Sequence, residues 1–291
     1  MSTRPLYWSV RRELWESRSL TLAPLAAAGL VLLANVLGSF RLPARVRAVA
    51  ALDPALQGAA LARPYVMAAA FIVSIGIIVA AYYCLDALHG ERRDRSILFW
   101  KSLPVSDRTT VLAKAALPLV VVPLYLFVIV IATHLILFAG ATALLLMGGN
   151  GVATLWTRLP LLEMLPVQLY SLFAHALWHA PLYAWLLLVS CWARRTPFLW
   201  ATLPLLAAGV LEKMAFGTSL IGHLLRNRVM GAAAVAFAVP FDGKGTTVPV
   251  VHLSQLAPGR FLLSPGLWLG LVAAAGFLAL AVRLRRYREP L

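Results

Sequence analysis

The segment GERRDRSILFWKSLPVSDRTTVLAK, residues 90–114, separates two long apolar runs of the chain. It begins with charged residues that cannot lie in lipid, and an apolar, aromatic group follows them directly. Pro104 ends the short helix that this pattern predicts, because proline removes a backbone donor and disfavours helix in the preceding residue. Ser106 is a candidate N-cap for the next helix. The segment therefore predicts a short surface helix, a proline turn and a second helix that enters the membrane.

A helix that begins with charged residues and continues with apolar and aromatic ones is suited to docking in a groove of another protein. The alternative is an ordinary basic loop that carries an interfacial aromatic helix. The residue pattern alone leaves both interpretations open.

The composition of the whole chain indicates an integral membrane protein. Of its 291 residues, 61% are hydrophobic and 13% are charged, whereas soluble domains carry about 25% charged residues. Several uncharged runs reach the roughly 20 residues that a helix needs to cross a bilayer. The formal charge is +15, but the basic residues cluster at the ends of apolar runs. This placement fits membrane topology and anionic lipid headgroups better than nucleic-acid binding.

We predict an all-α fold with a single transmembrane domain over residues 1–291. An interfacial helix is expected over residues 4–18, where aromatic and basic side chains alternate at helical spacing. The predicted spans are about 20–40, 64–88, 114–139, 165–193, 197–216 and 263–282.

The connections between the spans are of unequal length. A loop over residues 89–113 follows the second span, and a long loop over residues 217–262 precedes the last. Its apolar part, residues 229–241, is too short to cross a bilayer and is interpreted as re-entrant or interfacial. Pro118 and Pro123 predict a bend in the first turns of the third span.

The distribution of Lys and Arg predicts the topology. These residues are more numerous on the side that holds the N-terminus, the 89–113 loop, Arg194, Arg195 and the C-terminal tail. The positive-inside rule therefore places both termini in the cytoplasm and the 217–262 loop outside. A cleavable signal peptide is not expected, because the N-terminal residues lack an uninterrupted apolar core.

The segment also carries a family resemblance. Glu91, Arg95, Leu98, the run SLPVS at residues 102–106, and Lys114 resemble the pattern that follows the second helix of ABC-2-type transporter permeases. These are the membrane subunits of type-2 ABC exporters. The six-span layout, the N-terminal interfacial helix and the long fifth loop are similar to that family as well.

The resemblance implies that residues 90–104 contain a coupling helix that sits in a cleft of a nucleotide-binding subunit. Two ATPase subunits, a second permease copy and membrane lipid would be the partners, in the bacterial inner membrane. The implied activity is export of an amphiphilic substrate, such as a lipid, peptide or drug. The implied coupling residues are Glu91, Arg92, Arg95, Leu98, Phe99, Trp100, Leu103 and Pro104.

The chain itself has no recognisable nucleotide-binding motif. A P-loop requires Gly-x4-Gly-Lys-Ser/Thr, and the run GKGT at residues 243–246 lacks that arrangement. ATP and Mg²⁺ are therefore expected in a separate ATPase and no cofactor in this chain. Cys84 and Cys191 both fall in predicted spans, and no second ligand group lies at useful spacing, so neither a disulfide nor a metal site is expected.

Span 4 is the richest in polar and aromatic residues. The spacing of Trp178, Trp185 and Trp192 puts them on one face. One interpretation is a dimer interface or a pathway for an amphiphile, and the other is aromatic packing and interfacial anchoring. His175 and His179 are four apart, but no Glu of the HExxH type lies between them. The candidate pathway or gate residues are His175, Trp178, His179, Trp185 and Glu212.

Three other polar residues have specific expectations. His134 in span 3 is expected to be a hydrogen-bonded packing residue. Asp86 is expected to pair with a nearby arginine. Glu212 either reaches the outer headgroups or pairs across a dimer as part of a gate.

Two other function classes remain open from the sequence. A stand-alone membrane enzyme or ion carrier would be active without an ATPase. A non-transporting membrane anchor would bind the ATPase and move no substrate.

Overall fold

The computed structural model describes residues 5–96, 105–149, 151–238 and 249–287. Six of its helices are long and apolar enough to cross a membrane, which is the architecture of a multi-pass membrane protein. Over the described residues the chain is helical, and an isolated bridge pairs Phe237 with Leu256. In chain order the helices are α1 Pro5–Glu16, α2 Ser19–Gly38, α3 Leu42–Ala50, α4 Pro54–Asp86, α5 His89–Arg93, α6 Asp107–Ala116, α7 Val122–Met147, α8 Ala153–Arg158, α9 Leu161–Trp192, α10 Pro197–Phe216, α11 Leu220–Met230, α12 Ala232–Ala236, α13 Pro258–Leu262 and α14 Pro265–Tyr287.

The six predicted spans correspond to the helices α2, α4, α6 with α7, α9, α10 and α14. The bounds of the fifth span agree fully, with α10 over Pro197–Phe216. The largest difference at a single boundary is in the second span, because α4 begins at Pro54 instead of near residue 64. Pro64 lies inside α4 without ending it, since neighbouring membrane helices compensate for the backbone bond that an interior proline removes.

The third span is interrupted where its prolines predict a bend. A π-helical turn over Leu117–Val121 joins α6 to α7, and Pro118 lies within it. The backbone N–H of Val122 bonds to the Leu117 carbonyl, five residues back. Proline cannot donate a bond to the carbonyl four residues back, and a π turn accommodates that loss.

Helix α9 forms the centre of the bundle. Within its span, 61% of the most apolar window is buried, against 6% for α10 at the periphery. Leu172, Tyr183 and Leu187 of α9 pack in one core with Ile72 of α4 and Leu126 of α7. Between membrane helices such contacts stabilise through close van der Waals packing and not through removal from water. Helix α9 is therefore packed against both α4 and α7.

The long fifth connection folds back onto α9. Gly217 ends α10 with a φ of 66°, a left-handed conformation that glycine adopts without strain. The predicted apolar segment 229–241 is divided between the end of α11, the short helix α12 and an extended stretch through residue 238. Its membrane-dipping position stays a prediction, and the turn expected at residues 242–247 lies outside the described residues.

Candidate functional site

The start of the segment at residues 90–104 is fixed to the C-terminal end of α9. The hydroxyl of Ser190 accepts hydrogen bonds from the backbone N–H groups of Leu88 and His89, each at 2.9 Å. Ser190 itself is fully buried. These bonds place the short helix α5 directly against the last turn of α9.

Arg92 strengthens this attachment. Its Nη1 donates to the carbonyl oxygens of Cys191 at 2.8 Å and Ala193 at 3.1 Å. The last carbonyls of a helix have no partner within the helix and carry partial negative charge, so a cation there is stabilising. The side chain is buried. Arg92 thus holds α5 to α9 within the chain instead of projecting from the surface.

Glu91 lies in a buried cluster of ionised groups that we call the ion network. Lys114 Nζ is 3.0 Å from Glu91 Oε1 and 2.8 Å from Glu13 Oε2. The Tyr83 hydroxyl also donates to Glu13 Oε2, at 3.1 Å. The side chains of Lys114 and Glu13 are each 3% exposed, and that of Glu91 is 9% exposed. Buried charges of this kind are tolerated only when they are paired.

Three further charged residues extend the ion network. Arg285 of α14 pairs through Nη1 with Glu91 and through Nε with Asp107 Oδ1, the latter at 3.1 Å. Arg12 of α1 pairs with Glu13 and lies 3.7 Å from Glu91 Oε1. The network of Arg12, Glu13, Glu91, Asp107, Lys114 and Arg285 has three charges of each sign, and the exposed Glu16 pairs with Arg12 at its border, at 3.5 Å. The network connects α1, α5, α6 and α14.

The border of the ion network is exposed and also carries carboxylates. Asp86 pairs with Arg93 at 3.7 Å, which confirms the pairing expected for it. Arg93 Nε donates to Asp94 Oδ1 at 2.9 Å, and this bond lowers the pKa of the Asp94 carboxyl. Partial burial raises the pKa of the Glu16 carboxyl at the end of α1. These groups line a cavity of about 1020 Å³ between α1 and α5.

The predicted coupling residues are therefore divided between two environments. Glu91 and Arg92 are tied into the chain, whereas Arg95 is exposed and has a φ of 56°. Such a φ is uncommon for a residue with a Cβ. The remaining predicted coupling residues lie outside the described residues: Leu98, Phe99, Trp100, Leu103 and Pro104.

The chain beyond that gap begins with a capped helix. Ser106 Oγ accepts a hydrogen bond from the Thr109 N–H at 3.1 Å, which confirms the predicted N-cap of α6. Asp107 follows in the first turn, where a negative charge is favourable. Both ends of the 97–104 segment are thus anchored, one by α5 and the other by α6.

Ser106→Ala is expected to lower the free energy of unfolding by about 1 kcal/mol, because one N–H of the first turn of α6 loses its partner. The matched control is Ser219→Ala. Ser219 is the N-cap residue of α11 but makes no side-chain cap bond, so its replacement should cost little. Denaturant titration of both variants in detergent measures the difference, and equal losses would contradict the cap assignment.

Trp178 and His179, two of the predicted pathway residues, hold α11 in place. Trp178 Nε1 donates to the Asn227 carbonyl at 3.1 Å. His179 Nε2 lies 3.1 Å from the Val229 carbonyl and Nδ1 lies 2.8 Å from the His175 carbonyl, and a neutral ring donates to one of them at a time. Both side chains therefore lie against the C-terminal turn of α11, where the Asn227 carbonyl also accepts the backbone N–H of Gly231 at 2.7 Å.

The other tryptophans of the predicted stripe also pack within the chain. Trp185 Nε1 donates to the Ala201 carbonyl of α10 at 3.2 Å. Trp192 lies edge-on to Trp200 with ring centroids 4.8 Å apart. The described contacts of these residues support the packing interpretation of the stripe.

Glu212 caps α11 from the end of α10. Its carboxylate accepts from the backbone N–H groups of Leu220 and Ile221, the second at 2.8 Å, and from the Thr218 hydroxyl at 2.6 Å. This is the arrangement that a helix N-terminus favours, with a negative charge near free N–H groups. Glu212 thus fixes the start of α11 to the end of α10.

His175 and His134 border a second cavity, of about 300 Å³, between α4, α7 and α9. His134 Nε2 lies 3.0 Å from the Tyr65 carbonyl. This bond and the burial of the ring confirm that His134 is a hydrogen-bonded packing residue. His175 is also the one candidate pathway residue among the described residues that line this cavity.

The ion network was only partly visible in the sequence. Glu91 and Lys114 belonged to the recognised pattern, but Glu13, Asp107 and Arg285 were missed. Glu13 follows Arg12 in a helix predicted to lie at the interface, where charged residues are ordinary. The sequence signal for Glu13 was an acidic residue next to an apolar one in a segment that is mainly basic.

In the part of the chain that the structure describes, no three His, Cys, Asp or Glu residues are grouped so that they could hold a metal ion. No family model matches this chain, and no curated protein or solved structure is similar to it.

Proposed function

We propose that this chain is the membrane subunit of an exporter that is driven by a separate ATPase. The two ATPase copies bind ATP and Mg²⁺ and contact the 97–104 segment of two permease copies. The complex lies in a bacterial inner membrane with both termini of the chain in the cytoplasm. The substrate is an amphiphile.

The observation that carries the proposal is the anchoring of both ends of the 97–104 segment. On one side Arg92 is bonded to α9, and Glu91 is bonded to Lys114 and Arg285. On the other side Ser106 caps α6, and Asp107 pairs with Arg285. A freely moving surface loop would not need such attachments. A segment that transmits force to the membrane helices needs such attachments, because a displacement of the segment moves the helices only if the bonds between them hold.

The burial of the ion network supports the same role. A buried ion network costs desolvation energy, and apolar residues of similar volume would often be as stable. The ion network therefore provides more than stability: it fixes the relative position of α1, α5, α6 and α14 at the base of the segment. Movement of the segment would be passed to several spans together.

The test is binding of an ATPase to the purified chain. Phe99→Glu combined with Trp100→Glu is expected to reduce the amount of P-loop ATPase that co-purifies with the tagged chain by at least about tenfold. Aromatic residues at interfaces contribute about 2 kcal/mol or more when they are central, and a charge there adds desolvation. Quantitative mass spectrometry of complexes purified from native membranes measures the ratio.

The matched control is Trp156→Glu combined with Leu162→Glu. Both residues are strongly exposed apolar side chains elsewhere in the chain. This control should retain the ATPase. Normal ATPase recovery with the Phe99 and Trp100 double variant would contradict the proposed contact, as would absence of any P-loop ATPase from the complex of the unchanged chain.

A further inference from the structure

The cavity of about 300 Å³ lies between α4, α7, α9 and the stretch around α12. Small-molecule sites occupy ~300–1,000 Å³ and are mostly apolar with a few placed polar groups. Val66 and Val73 of α4, Val167 of α9 and Phe237 beyond α12 form much of the apolar lining. The cavity thus has the size and the apolar character of a site for a small amphiphile.

His175 lines this cavity, and its ring keeps one hydrogen-bond acceptor unused. Its Nδ1 lies 2.8 Å from the carbonyl oxygen of Ser171, one turn earlier on α9. A carbonyl oxygen can only accept, so Nδ1 carries the hydrogen of the neutral ring, and Nε2 is left as an acceptor. No described residue donates to Nε2.

His134 is held in the same way from the other side of the cavity. Its Nε2 lies 3.0 Å from the Tyr65 carbonyl and therefore carries the hydrogen, which leaves Nδ1 as the acceptor. Two imidazole rings are thus fixed by backbone carbonyls in the tautomers that leave acceptors unused. This requires no assumption about the ligand.

The remaining polar lining completes the pattern. Gln168 lines the cavity one turn before Ser171, and its side chain makes no hydrogen bond with another described residue. No Asp, Glu, Lys or Arg is among the described lining residues. A charged ligand would therefore lose its hydration without gaining an opposite charge, which is costly in an apolar site.

We propose that this cavity binds an uncharged amphiphile that donates a hydrogen bond, from a hydroxyl or an amide N–H, to Nε2 of His175. The apolar body of the ligand packs against the valine and phenylalanine lining, and Gln168 offers it a further donor and acceptor. As a substrate site, this inference rests on the proposed export function and names its substrate class. Binding itself requires only this chain.

Photolabelling of the purified chain in lipid nanodiscs, without any ATPase, tests the proposal. The probes are a diazirine derivative of decanol and its methyl ether, in which a methyl group replaces the hydroxyl hydrogen and so removes the donor. The alcohol is expected to label cavity residues saturably, with an affinity about fivefold above that of the ether, the effect of one neutral hydrogen bond. Excess decanol should compete, whereas decanoate and decylammonium should not.

Two variants assign the effect to the ring nitrogen. His175→Phe keeps an aromatic ring and removes the acceptor, so the alcohol should bind no better than the ether, while the ether should be unaffected. His223→Phe is the matched control, since His223 is exposed on α11 and does not line the cavity. It should behave like the unchanged chain.

Equal affinities of alcohol and ether would overturn the proposal. So would unchanged alcohol binding in His175→Phe, equal competition by the charged amphiphiles, or labelling confined to residues outside the cavity. Because no ATPase is present, each of these results leaves the proposed coupling role of the 97–104 segment intact. Conversely, failure of the ATPase to co-purify leaves the binding result standing.

Discussion

Glu91→Gln is expected to lower the free energy of unfolding by about 3–5 kcal/mol, the range measured when one partner of a buried ion pair is removed. Glu91 lies against Lys114 at 3.0 Å and against Arg285 and Arg12. Without its charge, the buried carboxylates left for Lys114 and Arg285 are those of Glu13 and Asp107, and the exposed Glu16 pairs with Arg12. Titration with a denaturing detergent in mixed micelles measures the loss.

The matched control is Asp86→Asn. Asp86 also pairs with an arginine, but its side chain is 63% exposed, against 9% for Glu91. Exposed ion pairs contribute about 0–1 kcal/mol, so this control should be close to the unchanged chain. Similar losses for the two variants would show that burial does not govern the strength of the ion network.

A double variant separates pair breaking from charge burial. Glu91→Gln with Lys114→Met removes one charge of each sign and restores the balance. It should therefore be less destabilised than the sum of the two single variants, a coupling of about 0.5–3 kcal/mol. Exact additivity would contradict a direct interaction between Glu91 and Lys114.

Trp178→Ala is expected to cost about 3–5 kcal/mol, as other large-to-small substitutions of buried aromatic residues do. Trp178 is 2% exposed and packs against Phe261 of α13. The Arg228 guanidinium lies over its ring, 4.6 Å from the centroid. Removal of the Trp178 ring leaves a cavity and takes one of two donors from the Asn227 carbonyl, which keeps the Gly231 N–H. The amides of α11 should then exchange hydrogen faster than those of α4.

Two comparisons make the Trp178 result specific. Trp178→Phe keeps most of the packing and loses the indole N–H, and the Asn227 carbonyl keeps the Gly231 N–H, so about 0.5–1.5 kcal/mol should be lost. Trp192→Ala removes a tryptophan of the same helix that is 38% exposed, and about 1 kcal/mol is expected from its contact with Trp200. If Trp192→Ala cost as much as Trp178→Ala, or α11 kept its protection, the role of Trp178 as an anchor of α11 would be wrong.

Patterns that are local in the sequence predicted local structure well. The six spans follow from the length of apolar runs, and an irregularity near the start of the third span, observed as a π turn at Leu117–Val121, follows from the positions of Pro118 and Pro123. The cap of α6 follows from the hydroxyl of Ser106 next to an acidic first turn. In each case the physical cause lies within one or two helical turns, so a single stretch of sequence contains it.

Contacts between distant parts of the chain could not be predicted in this way. Lys114 and Glu13 are 101 positions apart, and Arg285 and Glu91 are 194 apart. No local pattern encodes either pair. The seven-residue spacing of the span-4 tryptophans predicted a shared face but not the helix that would cover it. The start of α4 was misplaced because Pro64 is a strong breaker in water and a weaker one within a packed bundle.

Helix α9 also has a mechanical consequence. Its last turn holds Arg92 and the backbone of α5, and His175 borders the cavity of about 300 Å³ sixteen residues before Cys191, about 24 Å along the axis. Pro181 lies between these positions and cannot donate a backbone bond to the preceding turn. A displacement of α5 therefore acts on the last turns of α9. The helix can bend at Pro181, and the part of α9 that borders the cavity lies on the other side of that bend.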